Sequence, residues 1–364
     1  MKDITVLLTS CNGLVSPSQI DCLRKVKERK IKIIGTDASD LGVGSRLVDQ
    51  FFKVPKGDSE DYVISMFKIC EESNVDILIP AADEEFLALG KEKSKFKQIG
   101  TEIVTNDYDI SIKSSDKGLF LNFLKEKGLP CANYFIPKSL EEFEKACFDL
   151  GYPQFPVVMK PCLGRGNRGM RIIKSGINKR DLLLKEKAGS PYATLEDIKE
   201  SLVNGDENEN KFPSIVLMEY LPGEEYSVDV LVKEGKPLII IPKLRLMPVP
   251  GLSVVGQVDM NELVIKKVTE ICEAFNLSYN VNIQFKYSKE EKLFPYEVNT
   301  RIAASIAACK AAGANLIYYG VKLALNEEIP PTKIRNGMKM IRYYKEFYEY
   351  SDDLDEQNDK SISF

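Results

Sequence analysis

The sequence predicts an α/β chain that changes architecture part-way along, from a doubly wound parallel sheet to a two-part α+β region whose larger part carries an antiparallel sheet. Three observations carry that reading. Between Ile4 and Thr105, apolar runs of strand length alternate with amphipathic stretches of helix length, the pattern of a parallel sheet with helices on both faces. From Phe155 onward, short apolar runs follow one another with turns rather than helices between many of them. Finally, "NVNIQFKYSKEEKLFPYEVNTR" sets two strand patterns on either side of a charged turn, a hairpin signal.

Taken in order, "ITVLLTS" reads as a strand, "SPSQIDCLRKVKER" as a helix and "IKIIGTDAS" as a second strand. "SEDYVISMFKICEESN" is helical, "VDILIPA" a strand, "DEEFLALGKEKSKF" a helix, and "TEIVT" closes the series. Asp37 lies about 20 residues beyond the first turn, where a dinucleotide-binding unit places its ribose acid. That turn, "SCNGLVSPSQ", holds one glycine and no GxGxxG, so the unit reads as a structural sheet. "SSDKGLFLNFLKEKGLP" is a helix stopped by Gly128 and Pro130, followed by strand "ANYFI" and helix "SLEEFEKACFDLG". The strands "FPVVMKP", "GMRIIK", "SIVLMEYL", "EYSVDVLVK" and "KPLIIIPKLRL" come next. Residues 185–213, polar and containing "VNGDENENKFP", are expected as a mobile loop. A helix over 260–275, the hairpin and alanine-rich helical stretches complete the chain, which ends in the acidic "YSDDLDEQNDKSISF", expected to fray.

Composition narrows the function. Across 364 residues, 50 basic and 54 acidic side chains leave a net charge of −4, which gives no electrostatic basis for a nucleic-acid or anionic-membrane partner. Eight cysteines lie scattered without a CxxC pair or metal-ligand spacing, and read as reduced thiols of a cytoplasmic protein. The opening "MKDITVLLTSC" ends like a lipoprotein cleavage site, but its apolar stretch is short and follows Asp3, so it reads as a buried strand. No apolar run approaches the roughly 20 residues of a membrane span. Histidine is absent, which excludes His-based triads, histidine metal sites and histidine bases.

Three segments carry candidate chemistry. In the hairpin, alternation puts Asn282 and Gln284 on one face of the first strand and Glu297 and Asn299 on one face of the second, with Arg301 continuing that parity. One carboxylate and two amide oxygens suit a hard cation such as magnesium, with Arg301 beside it for anionic phosphate. Read alone, the same hairpin is equally a surface ribbon with one polar face. "SIVLMEYLPGEEYSVDVLV" breaks an apolar strand at Leu221, Pro222 and Gly223 and resumes with two acids. Such a break can offer a purine a backbone carbonyl, a backbone amide, apolar walls and a ribose acceptor; alone it is a plain strand connection. "KPCLGRGNRGMR" follows an apolar strand with three glycines among basic residues, yet lacks the GKS or GKT ending of a P-loop.

These segments, in this order and over nearly the whole chain, resemble the ATP-grasp superfamily, particularly the carbamoyl phosphate synthetase large-subunit type and its single-module relatives. The resemblance implies a pre-ATP-grasp α/β domain over 1–112 and a connecting helical segment over 113–142. It further implies a lid over 143–221, a C-terminal subdomain over 222–345 and an acidic tail over 346–364. By position, Lys117 and Lys160 match the phosphate-contacting lysines, and Gly164, Gly166 and Gly169 the loop that closes over them. Met218, Glu219 and Leu221 match the adenine hinge, with Leu221 donating its amide, and Glu225 the ribose acid. Gln284, Glu297 and Asn299 match the metal ligands and Arg301 the catalytic arginine, Lys160 sharing the catalytic role. Two departures stand out: Thr300 where relatives often carry proline, and Arg165 and Arg168 in the loop where glycine or serine is commoner.

The implied reaction is ATP-dependent ligation: a small carboxylate becomes an acyl phosphate, an amine attacks it, and ADP and phosphate leave. ATP and magnesium are the implied cofactors, with manganese as a substitute, and the resemblance leaves room for a homodimer. Asp83 or Glu84, after the strand ending at Pro80, would hold a substrate ammonium, or simply cap their helix. Arg245, two residues after Lys243, would hold a substrate carboxylate or phosphate. Carbamoyl-phosphate-type chemistry is the alternative, although the chain has about one grasp module. A non-catalytic nucleotide-binding protein is the third reading.

Overall fold

The computed structural model describes residues 1–164, 168–186, 189–203, 212–249 and 252–349. Among them the strands form three sheets. The first is built from β1 (Ile4–Leu8), α1 (Ser16–Arg24), β2 (Ile31–Asp37), α2 (Gly44–Leu47), β3 (Gln50–Lys53), α3 (Tyr62–Glu72), β4 (Ile77–Ile79), α4 (Asp83–Lys91), α5 (Lys93–Gln98) and β5 (Glu102–Ile103). Its order is β3-β2-β1-β4-β5, every pairing parallel. Alternation sorts the strands' side chains. Val6, Leu8, Ile33, Ile77 and Ile79 enter one core with α1, while Leu7, Ile34 and Leu78 enter another with α3, α4 and α5. That is the doubly wound sheet expected. β3 escapes the sequence pattern because it is a short edge strand with two exposed and two half-buried residues.

Strand order reverses at β1, which pairs β2 on one side and β4 on the other. The crevice beyond the carboxyl ends of β1 and β4 is therefore the switch point of the sheet. Buried Glu85 joins the two sides: Thr9 Oγ1 donates to it at 2.5 Å, Ser10 Oγ at 2.8 Å and the Ala82 amide at 3.0 Å. Gly44 lies against the neighbouring turn so closely that a Cβ would stand 1.7 Å from the Cys11 carbonyl oxygen.

The second sheet follows α6 (Tyr108–Ser115) and α7 (Lys117–Glu126). It takes β6 (Tyr134–Phe135), α8 (Leu140–Asp149), β7 (Val157–Pro161), β8 (Arg171–Ile173), α9 (Lys179–Lys185), β9 (Tyr192–Ala193), α10 (Leu195–Val203) and β10 (Ile215–Glu219), in the order β6-β10-β7-β8-β9. The expectation of a loop over residues 185–213 is corrected in part: β9 and α10 fall inside it. Polarity hid the helix, yet Leu195, Ile198 and Leu202 are spaced three and four apart and pack with α8 in the core of this sheet. Residues 204–211 lie outside the described residues, as do 350–364 of the acidic tail.

The third sheet is antiparallel, ordered β15-β14-β11-β12-β13-β16. Its elements are β11 (Glu225–Lys233), β12 (Lys236–Val249), β13 (Leu252–Val258), α11 (Glu262–Phe275), β14 (Tyr279–Tyr287), β15 (Leu293–Asn299), α12 (Ala307–Ala311), α13 (Leu316–Ala324) and β16 (Lys339–Ile341). One continuous core joins this sheet to the second, running from Phe120 and Leu124 of α7 through Val216 and Met218 to Val228, Ile283 and Phe275. Across its other face, Leu231, Ile241, Ile317 and Val321 share the core of the first sheet. The three sheets are thus packed around common cores, which holds the segments carrying candidate chemistry in one neighbourhood. No helix among the described residues is long and apolar enough to cross a membrane, and all eight cysteines are unpaired.

Burial raises the proton affinity of Glu85 despite its three donors. The ionised carboxylate therefore costs stability, and wild-type stability falls relative to Glu85→Gln as pH rises from its ordinary value of 4.5. Thermal melts of both proteins from pH 4.5 to 7.5 should show the gap moving steadily in the variant's favour; a gap that moves the other way would exclude burial as the ruling term.

Candidate active site

The phosphate-side candidates meet at the root of the glycine segment. Lys117 is the first residue of α7, whose N-cap Asp116 accepts the Leu119 amide at 2.9 Å. The Lys117 amide donates to the Cys162 carbonyl at 2.9 Å and its Nζ to the Gly164 carbonyl at 3.1 Å, tying the helix start to the glycine segment. Lys117, Lys160, Pro161, Gly164, Arg168, Met170 and Glu297 line one cavity. Burial lowers the Lys160 ammonium to about 8, against the opposing pull of Glu297 and with the help of neighbouring Lys117. Two cations near each other beside a helix N-terminus make a site that an anion would relieve. Gly169 has φ +71°, and a Cβ there would stand 2.7 Å from Pro161 Cγ, so both backbone and space demand glycine. Arg165 and Gly166 lie outside the described residues.

At the end of β10, Met218 and Leu221 are buried in the core shared by the second and third sheets. The Glu219 carboxylate accepts the Asn133 amide at 3.1 Å and Asn133 Nδ2 at 3.0 Å, so what this residue offers the break is main chain. Gly223 donates its amide to the Tyr287 carbonyl at 2.9 Å, and a Cβ at Gly223 would lie 2.6 Å from Tyr287 Cβ. That close approach fixes the chain reversal that brings in Glu225, which opens β11. Its carboxylate pairs with Arg245 of β12, whose Nε also donates to Ser253 Oγ at 2.8 Å.

The hairpin is β14 and β15, with Asn282 opposite Asn299 and Gln284 opposite Glu297. Asn299 Nδ2 donates to Glu297 Oε1 at 3.2 Å, and Gln284 Nε2 to Asn282 Oδ1 at 3.3 Å. Among the described residues no three or more Cys, Asp or Glu side chains gather as a metal-ligating group. A cation here would take one carboxylate and two amide oxygens, all hard donors, with the balance from phosphate and water; this set fits magnesium.

Strict alternation would put Tyr296 on the opposite face from Glu297. The structure does otherwise: register shifts after Gln284, so that Phe285 faces Pro295 and two residues, Tyr296 and Glu297, oppose one. The bulge delivers the Tyr296 hydroxyl 2.7 Å from Glu225 Oε1 and 2.6 Å from Gln284 Oε1, and sets its ring 4.4 Å from Lys160 Nζ. Sequence reasoning missed this residue. The signal was Pro295, since proline inside a strand pattern marks an edge or a bulge.

Arg301 meets the first sheet. Its Nε donates to Asp83 Oδ1 at 2.5 Å, and Nη2 reaches Asn299 Oδ1 at 3.5 Å. Although burial works against its charge, the Asp83 and Glu297 carboxylates keep the guanidinium firmly protonated. Asp83 is thus engaged with Arg301, at the first residue of α4 above the switch point, while Glu84 packs over Gly57. Lys243 does not share the surroundings of Arg245: it is buried on Asp229, whose other oxygen accepts Asn282 Nδ2 at 2.8 Å and which also accepts the Cys309 thiol at 3.3 Å. The Thr300 hydroxyl is buried, with no hydrogen-bond partner among the described residues.

Residues 211–346 match the family described as "ATP-grasp in the biosynthetic pathway with Ter operon", and residues 6–104 match "PylC-like, N-terminal domain". The multifunctional protein pyrABCN of Emericella nidulans is 24% identical over 330 residues, which is 88% of this chain and 13% of that protein. The carbamoyl phosphate synthase large chain, C-terminal section, of Methanopyrus kandleri is 25% identical over 249 residues, 66% of this chain and 42% of its own length. This chain therefore spans less than half of either relative. Among solved structures, the biotin carboxylase domain of Hydrogenobacter thermophilus 2-oxoglutarate carboxylase, in complex with MgADP, ADP and bicarbonate, superposes with a TM-score of 0.69. The identity is 14%, covering 93% of this chain and 74% of that one. The chain thus carries an ATP-grasp match over residues 211–346 and a PylC-like N-terminal match over residues 6–104, and it resembles the carbamoyl phosphate synthetase large-subunit type and the single-module carboxylate–amine ligases.

Proposed function

We propose that the protein is an ATP-dependent, ADP-forming ligase that activates a small carboxylate as an acyl phosphate for attack by an amine. The observation that carries this reading is the meeting of Lys117, Lys160, Gly164 and Glu297 at one cavity, with Glu297 joined through Asn299 to Arg301. In this reading the carboxylate oxygen attacks the terminal phosphorus of ATP and the bond to ADP breaks. The amine nitrogen then attacks the acyl carbon and loses a proton, and phosphate departs. Such transfer depends on positioning and charge neutralisation more than on a tuned base, which suits a chain without histidine.

Each part has a role in the proposal. Lys117 and Lys160 hold phosphate oxygens, with Gly164 and Gly169 in the covering flap; Arg168, on the same cavity, is a third cation for them. The main chain from Met218 to Leu221 receives adenine and Glu225 the ribose. Gln284, Glu297 and Asn299 would hold magnesium, or manganese in its place, which supplies neutralisation of phosphate charge. Arg301 stabilises the developing negative charge, so the acceptor subsite lies around the Arg301–Asp83 pair above the switch point of the first sheet. An ammonium bound by Asp83 would share that carboxylate with Arg301, while Arg245, paired with Glu225, supports the ribose acid rather than an acceptor. A second reading takes bicarbonate as the acid; what favours it is the likeness to a biotin carboxylase domain whose structure contains bicarbonate.

The test is ADP release across pairs of small acids, bicarbonate included, and amines, followed by the mass of the product; no pair-dependent release while ATP still binds would leave a nucleotide-binding protein. Glu297→Gln should lower magnesium-dependent ADP formation at least about a hundredfold with an unchanged melting profile, and retained turnover would remove Glu297 from the metal site. Lys160→Ala should weaken ATP binding in calorimetry by about two orders of magnitude, the scale of losing a charge-assisted phosphate contact. Arg168→Ala should raise KM for ATP about tenfold with less effect on kcat; an unchanged KM would return Arg168 to solvent.

A further inference from the structure

We propose that Tyr296 is a positioning residue whose two ends serve two parts of the nucleotide: its hydroxyl orients Glu225 for the ribose, and its ring steadies the Lys160 ammonium for the phosphates. The inference rests on the nucleotide site proposed above and goes beyond it, since strand alternation assigns Tyr296 no place there. Four observations support it. The bulge turns Tyr296 to the same side as Glu297. The side chain is only 9% exposed, so its orientation is fixed by packing. Its hydroxyl donates to Glu225 Oε1 at 2.7 Å. The ring centroid stands 4.4 Å from Lys160 Nζ, within cation–π range of an ammonium that burial otherwise disfavours.

The same hydroxyl lies 2.6 Å from Gln284 Oε1. A phenol has one hydrogen and donates to one acceptor at a time; the charged Glu225 is the stronger acceptor. Because both oxygens lie within 2.7 Å of the one hydroxyl, its hydrogen ties the position of the Gln284 oxygen to that of the Glu225 carboxylate. Tyr296 thus links the ribose acid, the phosphate lysine and one oxygen of the metal set through a single side chain.

Calorimetry with two probes, ADP and inorganic tripolyphosphate, both without added metal, separates the two ends. Tyr296→Phe keeps the ring and should weaken ADP about tenfold while leaving tripolyphosphate within twofold. Tyr296→Leu removes both ends and should weaken both probes about tenfold. Equal effects of Phe and Leu on both probes, or no effect of either, would overturn the proposal, because a merely structural role does not distinguish the probes. Wild-type protein that binds neither probe would remove the nucleotide site and this role with it; wild-type binding without a split removes this role alone. If Tyr296→Leu does not fold, the selective loss of ADP in the near-isosteric Tyr296→Phe decides the hydroxyl's part.

Discussion

The pairing of β14 with β15 is the constraint on which the site depends. Gln284 opposite Glu297, and Asn282 opposite Asn299, put four polar side chains within reach of one another, and the bulge at Tyr296 adds a fifth to the same side. A one-residue slip would send every one of these side chains to the other face. The register is held from both sides. Val298 and Ile283 lie in the core against α7 and α11, while the Asn282 amide is locked to Asp229, Ser227 and the Val228 carbonyl.

Around that hairpin, each remaining part of the site is delivered by a different sheet. The second brings Lys160 and the hinge, because β7 and β10 pair with Val216 opposite Lys160 and Met218 opposite Val158. The first brings Asp83, because its strand order reverses between β1 and β4 and α4 begins just beyond β4. The Arg301–Asp83 ion pair, 19% and 23% exposed, therefore crosses between sheets at the mouth of the crevice, where a lower dielectric strengthens the attraction while lost hydration opposes it.

The polar side chains form two hydrogen-bonded runs: Asp83, Arg301, Asn299 and Glu297 on one; Asn282, Gln284, Tyr296, Glu225 and Arg245 on the other. The two runs face each other across the hairpin register. In a low-dielectric setting such a network is demanding, since each member that loses its partner costs more than an isolated surface bond would. It also explains why Arg245 and Lys243, alike in sequence spacing, differ in use: one reaches Glu225 and the other is consumed by Asp229 in the core.

Much of the fold was legible because it follows from local periodicity. The buried strands of the first sheet, the helix over Glu262–Phe275 and the hairpin parity of Gln284, Glu297, Asn299 and Arg301 are statements about periods of 2 and 3.6, which a sequence carries by itself. The helix over Leu195–Val203 was obscured by its polar surroundings, although its apolar spacing was present. Tyr296 could not be placed by alternation, because a bulge is an insertion in pairing between two strands and is not a property of either alone. The pairing of Asp83 with Arg301 was equally invisible, since it joins residues 218 apart in the chain through the stacking of two sheets. The sequence by itself determined which residues lie on which face of each element; the tertiary structure alone decided which faces meet, because that depends on how separate elements pack and pair.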